Sequence, residues 1–190
     1  MTGPGRAPGI TLLLGGVRAG KSTAAVRRAR ETLDPRGVLF AATAEAGDDE
    51  MRRRIDAHRR ERPADWDTLE SPRELVRDLE SSLAGRVRDV IVIDCLTLWV
   101  SNLLLAWEGE PDAEKRIAGE AERLAELMRR HPSTWWIVVS NEVGLGVVPP
   151  TSLGRAYRDA LGRTNQIVAR AADEVILMVA GIELAIKHRP

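Results

Sequence analysis

Residues 9–33 read GITLLLGGVRAGKSTAAVRRARETL. An apolar run, a glycine-rich turn and a helical pattern follow one another without a break. Gly15, Gly20, Lys21 and Ser22 occupy the four places of G-x-x-x-x-G-K-[ST], and Gly16, Val17, Arg18 and Ala19 fill the loop between them. The context is what the motif demands: it leaves a strand and opens a helix. Glycines let backbone N–H groups curl around phosphate oxygens with no side chain in the way. The helix N-terminus adds partial positive charge. Lys21 is expected to reach the β and γ phosphates and Ser22 to hold Mg²⁺. The stretch predicts a nucleoside-triphosphate site.

Outward from this loop, apolar runs alternate with helical patterns, the signature of an α/β domain with a largely parallel sheet. Strands are expected in GVLFAATA (37–44), RDVIVIDCLT (88–97), STWWIVVSNEVG (133–144) and ADEVILMVAGIELAI (172–186), the last ending in a tail. Helices are expected from 21 to 33, from Asp48 to about Arg62, over 71–83 with Ser71 as N-cap, over 98–107, 113–131 and 151–173. In the 113–131 helix, Ile117, Leu124 and Leu127 fall on the inner face. The expected architecture is a three-layer, RecA-like P-loop fold around a mainly parallel sheet.

The totals narrow the class. A chain of 190 residues suits a single domain, expected over 10–190 behind a flexible leader at 1–9. Lys plus Arg and Asp plus Glu are both 28, a balance that argues against a nucleic-acid partner. No apolar run reaches the roughly 18 residues of a membrane span, and one cysteine suits a reducing cytoplasm.

Asp94 closes the apolar run VIVID, where a P-loop protein places a Mg²⁺-side carboxylate, and is the Walker-B candidate. Cys95 reads as a small core residue, since nothing beside it in sequence lowers a thiol pKa. The run MRRRIDAHRRERPADWDTLE (51–70) places His58 among arginines. Read in isolation it is a solvated helix face, or a site for a strongly anionic ligand with the imidazole as the reacting group. Trp66 either stacks on a flat ligand or joins the core. Asn141 and Glu142 either contact ligand or metal, or cap a loop.

GGVRAGKS, DDEMRRRIDAHRRERPADWDTLE, DCLTLWVSNLL, SNEVGLGVVP and RAYRDALGRTNQIVARAADEVILMVAGI occur in this order. Together they resemble the bifunctional adenosylcobinamide kinase / adenosylcobinamide-phosphate guanylyltransferase family of cobalamin biosynthesis, from about Ile10 to Lys187. The resemblance implies that a nucleoside triphosphate, ATP or GTP, phosphorylates adenosylcobinamide. GTP then gives GMP to adenosylcobinamide phosphate through a GMP-histidine, which matches His58. It also implies a homotrimer. Ala42, Thr43 and Ala44 match a nucleotide-lining stretch, Arg59, Arg60, Glu61 and Arg62 the run beside the histidine, and Glu70 a position associated with guanine nucleotides. Ala19 departs from a serine often found before Gly-Lys in the family, which bears on nucleotide preference or the kinase step.

The chemistry suits a histidine there. Neutral imidazole approaches a tetra-anionic triphosphate without charge repulsion, and the phosphoramidate it forms is readily split. Arginine forks bind phosphate oxygens bidentately, and their positive charge keeps the imidazole neutral. Helical spacing puts Arg54 and Arg62 on its side. Two rival readings need no such run: a plain P-loop kinase using Asp94, which would form no covalent nucleotide, and a nucleotide-dependent switch or binding module.

Overall fold

The computed structural model describes residues 9–31, 37–45, 47, 52–53 and 63–188. Its centre is a seven-stranded sheet formed by β1 (Ile10–Gly15), β2 (Val38–Ala42), β3 (Asp67–Glu70), β4 (Val90–Asp94), β5 (Trp135–Val139), β6 (Glu174–Val179) and β7 (Ile182–Lys187). The order is β3-β2-β4-β5-β1-β6-β7, parallel throughout except for the last pair. β1, β2 and most of β4 and β5 are buried along their whole length. Strands apolar on both faces are what a helix-covered parallel sheet requires.

Among the described residues there are five helices: α1 (Lys21–Ala29), α2 (Leu75–Leu83), α3 (Leu96–Ala106), α4 (Ala113–Arg130) and α5 (Ser152–Ala171). Alternate residues of each strand feed two cores. Leu12, Leu39, Ile91, Ile93 and Val138 pack with Leu79, Trp99, Leu124 and Leu161 from α2–α5. Leu13, Phe40, Val90, Val92 and Val139 pack with Ala24, Ala25 and Ala29 of α1. The alanines let α1 approach the sheet closely. This is the three-layer P-loop fold expected above, and Ile117, Leu124 and Leu127 are buried on the inner face of α4.

Several local expectations are corrected, among them the strand expected over 88–97, which ends at Asp94 and gives way to α3 at Leu96. The first helix ends at Ala29, not 33. The helix expected from Ser71 begins at Leu75, and the Ser71 hydroxyl instead donates to Asp78 Oδ2 at 2.7 Å. The tail after β6 is a true antiparallel strand, β7, and Glu70 ends a strand, β3, which the sequence reading missed. The helix expected from Asp48 to Arg62 lies outside the described residues, apart from the helical pair Arg52 and Arg53.

Candidate active site

The parallel strands end together. Register pairs align Leu13 with Val139, Val139 with Asp94, Asp94 with Ala42, and Ala42 with Glu70, so one row crosses five strands. The P-loop leaves this row at β1, with Asp94 two strands away. An open α/β sheet binds ligands beyond this carboxyl edge.

The loop's shape follows from its glycines. Gly15 has φ 148°, and a Cβ there would stand 2.4 Å from the Met178 carbonyl oxygen. Gly20, at φ 91°, is the residue before α1 and packs against Gly181, whose N–H donates to the Ala19 carbonyl at 3.2 Å. Arg18 turns the loop at φ 59°. Gly16, Val17 and Arg18 are exposed, Ala19 is buried, and Ser22 is half-buried in the first turn of α1.

Lys21 is 7% exposed. Its Nζ donates to the carbonyls of Gly16 at 2.7 Å and Gly15 at 3.0 Å. Burial lowers its pKa below the ordinary lysine value, while the nearby Asp94 charge acts the other way. Asp94 itself is half-buried at the end of β4. Ser22 and Asp94 are hard oxygen donors, the chemistry Mg²⁺ takes.

Beside Asp94 stands a hydroxyl the motif reading did not anticipate as a brace. Thr43, fully buried, donates through Oγ1 to the Cys95 carbonyl at 2.6 Å and accepts from the Cys95 N–H at 2.8 Å. Asn102 of α3 donates to the carbonyls of Thr43 (2.9 Å) and Pro72 (3.0 Å), tying β2's exit to the β3–α2 turn. Burial and the Asp94 charge push the Cys95 thiol up to about 12, so it is no nucleophile at neutral pH. Ala42 is buried in β2 and Ala44 half-buried after it.

Glu70 is exposed on the edge strand β3. Four strand spacings separate β3 from β1, about 19 Å. Trp66 resolves to the core, packed with Phe40 and Val38. Asn141 and Glu142 are half-buried, and Glu142 Oε1 accepts from the Gly144 N–H, capping its own turn. His58, with Arg54, Arg59, Arg60, Glu61 and Arg62, lies outside the described residues.

Missed by the sequence reading were Asn102, Ser140 and Asn165. Only Ser140 carried a local signal, as the polar residue that ends the apolar run WWIVV; Asn102 stands beside Ser101, and Asn165 among Arg163, Thr164 and Gln166, where nothing in the sequence singles them out.

The model of the cobinamide kinase / cobinamide phosphate guanyltransferase family matches residues 11–186. The bifunctional adenosylcobalamin biosynthesis protein CobP of Pseudomonas aeruginosa is 46% identical, covering 94% of this chain and 98% of its own. Its counterpart CobU of Salmonella typhimurium is 42% identical, covering 94% and 99%. Among solved structures, the flagellar accessory protein FlaH of Methanocaldococcus jannaschii superposes with a TM-score of 0.58 at 15% identity, over 98% of this chain and 82% of that one. That likeness concerns the fold alone.

Proposed function

This chain belongs to the cobinamide kinase / cobinamide phosphate guanyltransferase family and is a bifunctional adenosylcobalamin-biosynthesis enzyme, and from that premise we propose how its residues divide the work. The observation that carries the proposal is Lys21, a buried lysine held at the mouth of the P-loop by the Gly15 and Gly16 carbonyls, on the same sheet edge as Asp94.

In the kinase step, the P-loop from Gly15 to Ser22 cradles a nucleoside triphosphate, ATP or GTP, through backbone N–H groups, and Lys21 offsets the charge building on the transferring phosphoryl. The cobinamide hydroxyl oxygen bonds to the γ-phosphorus as the bond to the β-bridging oxygen breaks, and the hydroxyl proton is lost to solvent. Ser22 and Asp94 would hold Mg²⁺, which supplies charge neutralisation at the β and γ phosphates. Ala42, Thr43 and Ala44 line the edge beside it.

In the guanylyl step, an imidazole nitrogen of His58 bonds to the α-phosphorus of GTP and pyrophosphate leaves. Arg59, Arg60 and Arg62 screen the triphosphate charge, with Glu61 in the same run. A phosphate oxygen of adenosylcobinamide phosphate then attacks the phosphoramidate and frees the histidine. Glu70 accepts from guanine N1–H and the exocyclic amine. Its place at the far end of the edge suits base recognition apart from the Lys21 cradle.

We further take residues 10–190 as one catalytic domain that works in the cytoplasm as a homotrimer. Exposed Ile182, Leu184 and Ile186 along β7 supply apolar surface for such assembly. No helix among the described residues is long and apolar enough to cross a membrane.

The test is covalent labelling with GTP carrying radiolabel at the α or the γ phosphate, on the wild type and on His58→Ala. Base-stable, acid-labile label from the α position alone, lost in the variant, is expected. Active wild type that takes up no α-label would refute the histidine intermediate and leave a plain kinase.

A further inference from the structure

The peptide between Asn141 and Glu142 is held at both of its polar ends. Its carbonyl accepts from Asn165 Nδ2 at 3.0 Å. Its N–H donates to the Gly15 carbonyl at 3.2 Å. That same Gly15 carbonyl accepts from Lys21 Nζ at 3.0 Å. The amide of Asn165 is itself fixed, because Oδ1 accepts from the Ser140 hydroxyl at 2.6 Å. A backbone carbonyl can only accept, so the orientation of this amide is determined. One residue earlier, the Asn141 N–H donates to Thr97 Oγ1 at 2.8 Å, on the helix that follows Asp94. Asn165 is 5% exposed and Ser140 fully buried.

We propose that Asn165 is a positioning residue for the phosphate cradle, acting through the 141–142 peptide on Gly15 and Lys21. The inference rests on the P-loop reading above. A planar peptide cannot turn one end without the other. Releasing its carbonyl from Asn165 therefore releases the N–H that fixes Gly15. The Gly15 carbonyl is one of two anchors that hold the Lys21 ammonium in a buried place. A network satisfied at every member specifies one geometry, and loss of a single donor is felt along it. Nothing about Asn165 requires it to touch substrate.

The neighbouring side chain gives a matched control. Thr164 is fully buried on the same helix turn, and its hydroxyl has no hydrogen-bond partner among the described residues. Thr164→Val perturbs the same packing without touching the network.

The experiment measures binding of nonhydrolysable ATP and GTP analogues to the full chain by calorimetry, at a temperature where thermal melts show each variant fully folded. Asn165→Asp keeps the size and the acceptor for Ser140 but turns an oxygen toward the Asn141 carbonyl. Affinity is expected to fall about tenfold, while Thr164→Val matches the wild type. Wild-type affinity in Asn165→Asp, or an equal loss in Thr164→Val, overturns the inference. Should Asn165→Asp fail to fold, Ser140→Ala frees the amide while leaving its donor in place. It is expected to weaken binding about threefold, and an unchanged value overturns the inference equally. Failure of the wild type to bind either analogue would instead refute the P-loop reading, with Lys21→Ala as its reference.

Discussion

A single hydroxyl, that of Thr43, serves both backbone groups of Cys95: it donates to the carbonyl at 2.6 Å and accepts from the N–H at 2.8 Å. The Thr43 N–H also donates to the Asp94 carbonyl at 3.2 Å. The end of β2 thus grips the two residues in which β4 gives way to α3.

Replacing Thr43 by Val keeps the shape and strands two backbone groups. An unmade buried hydrogen bond costs about 1–3 kcal/mol. Thr43→Val is expected to lose about 2–3 kcal/mol in denaturant titrations and to lower kinase turnover by moving Asp94. Thr43→Ser, which retains the hydroxyl, should stay within about 1 kcal/mol of the wild type.

The two glycines that open the P-loop should respond differently. At Gly15 an added Cβ meets the Met178 backbone, which cannot swing away, and at Gly16 it meets nothing within 4 Å. Gly15→Ala is expected to destabilise by roughly 1–3 kcal/mol and to abolish nucleotide binding. Gly16→Ala should fold as the wild type does. Thermal melts with and without nucleotide separate the two, and equal behaviour would contradict the close approach at β6.

In the kinase step proposed above, Lys21 offsets phosphate charge only while protonated. Its pKa is lowered by burial, so the cation is lost at a lower pH than that of an ordinary lysine. Triphosphate affinity should fall as pH rises through that depressed value, beginning below 10.5. In Lys21→Ala the alkaline fall should disappear, and turnover should drop by about 100-fold or more. A profile unchanged by the substitution would assign the alkaline limb to another group.

Glu183 of β7 pairs with Arg28 at 2.5 Å and also with Arg27, fastening the edge hairpin to α1. The hydrogen bond from Arg28, with the charges of both arginines, holds its carboxyl below the usual glutamate value. The unfolded chain therefore binds this proton more readily than the folded one. The stabilisation is complete above the unfolded pKa near 4.5 and is lost as pH falls through the lower folded value. Glu183→Gln should cost about 1 kcal/mol at pH 7. The difference from the wild type should shrink below about pH 4. A gap that persists at low pH would mean packing, not charge.

Much of this site was legible because its signals are local. The P-loop is eight consecutive residues whose function resides in their own backbone, and a glycine needed for close approach is visible wherever it stands. The position of Asp94 was legible because it closes the apolar run VIVID, and β4 ends at that residue. β3 was not, since DTLE offers only two alternations and one aliphatic residue, and an edge strand needs no more. The N-terminus of α2 was misplaced because Ser71 found a partner in Asp78, seven residues on, where a cap was expected at its own turn.

What the sequence by itself determined was the fold class, the glycine-rich turn between β1 and α1 and the family, each written in runs of neighbouring residues. Only the tertiary structure decided that Trp66 is core, that Thr43 braces Cys95 across 52 positions, and that Asn165 reaches Gly15 through one peptide. Those relations depend on which strands lie side by side. Hydrogen-bond geometry is fixed to tenths of an ångström, and no spacing along the chain encodes it until the β3-β2-β4-β5-β1-β6-β7 order has brought the partners together.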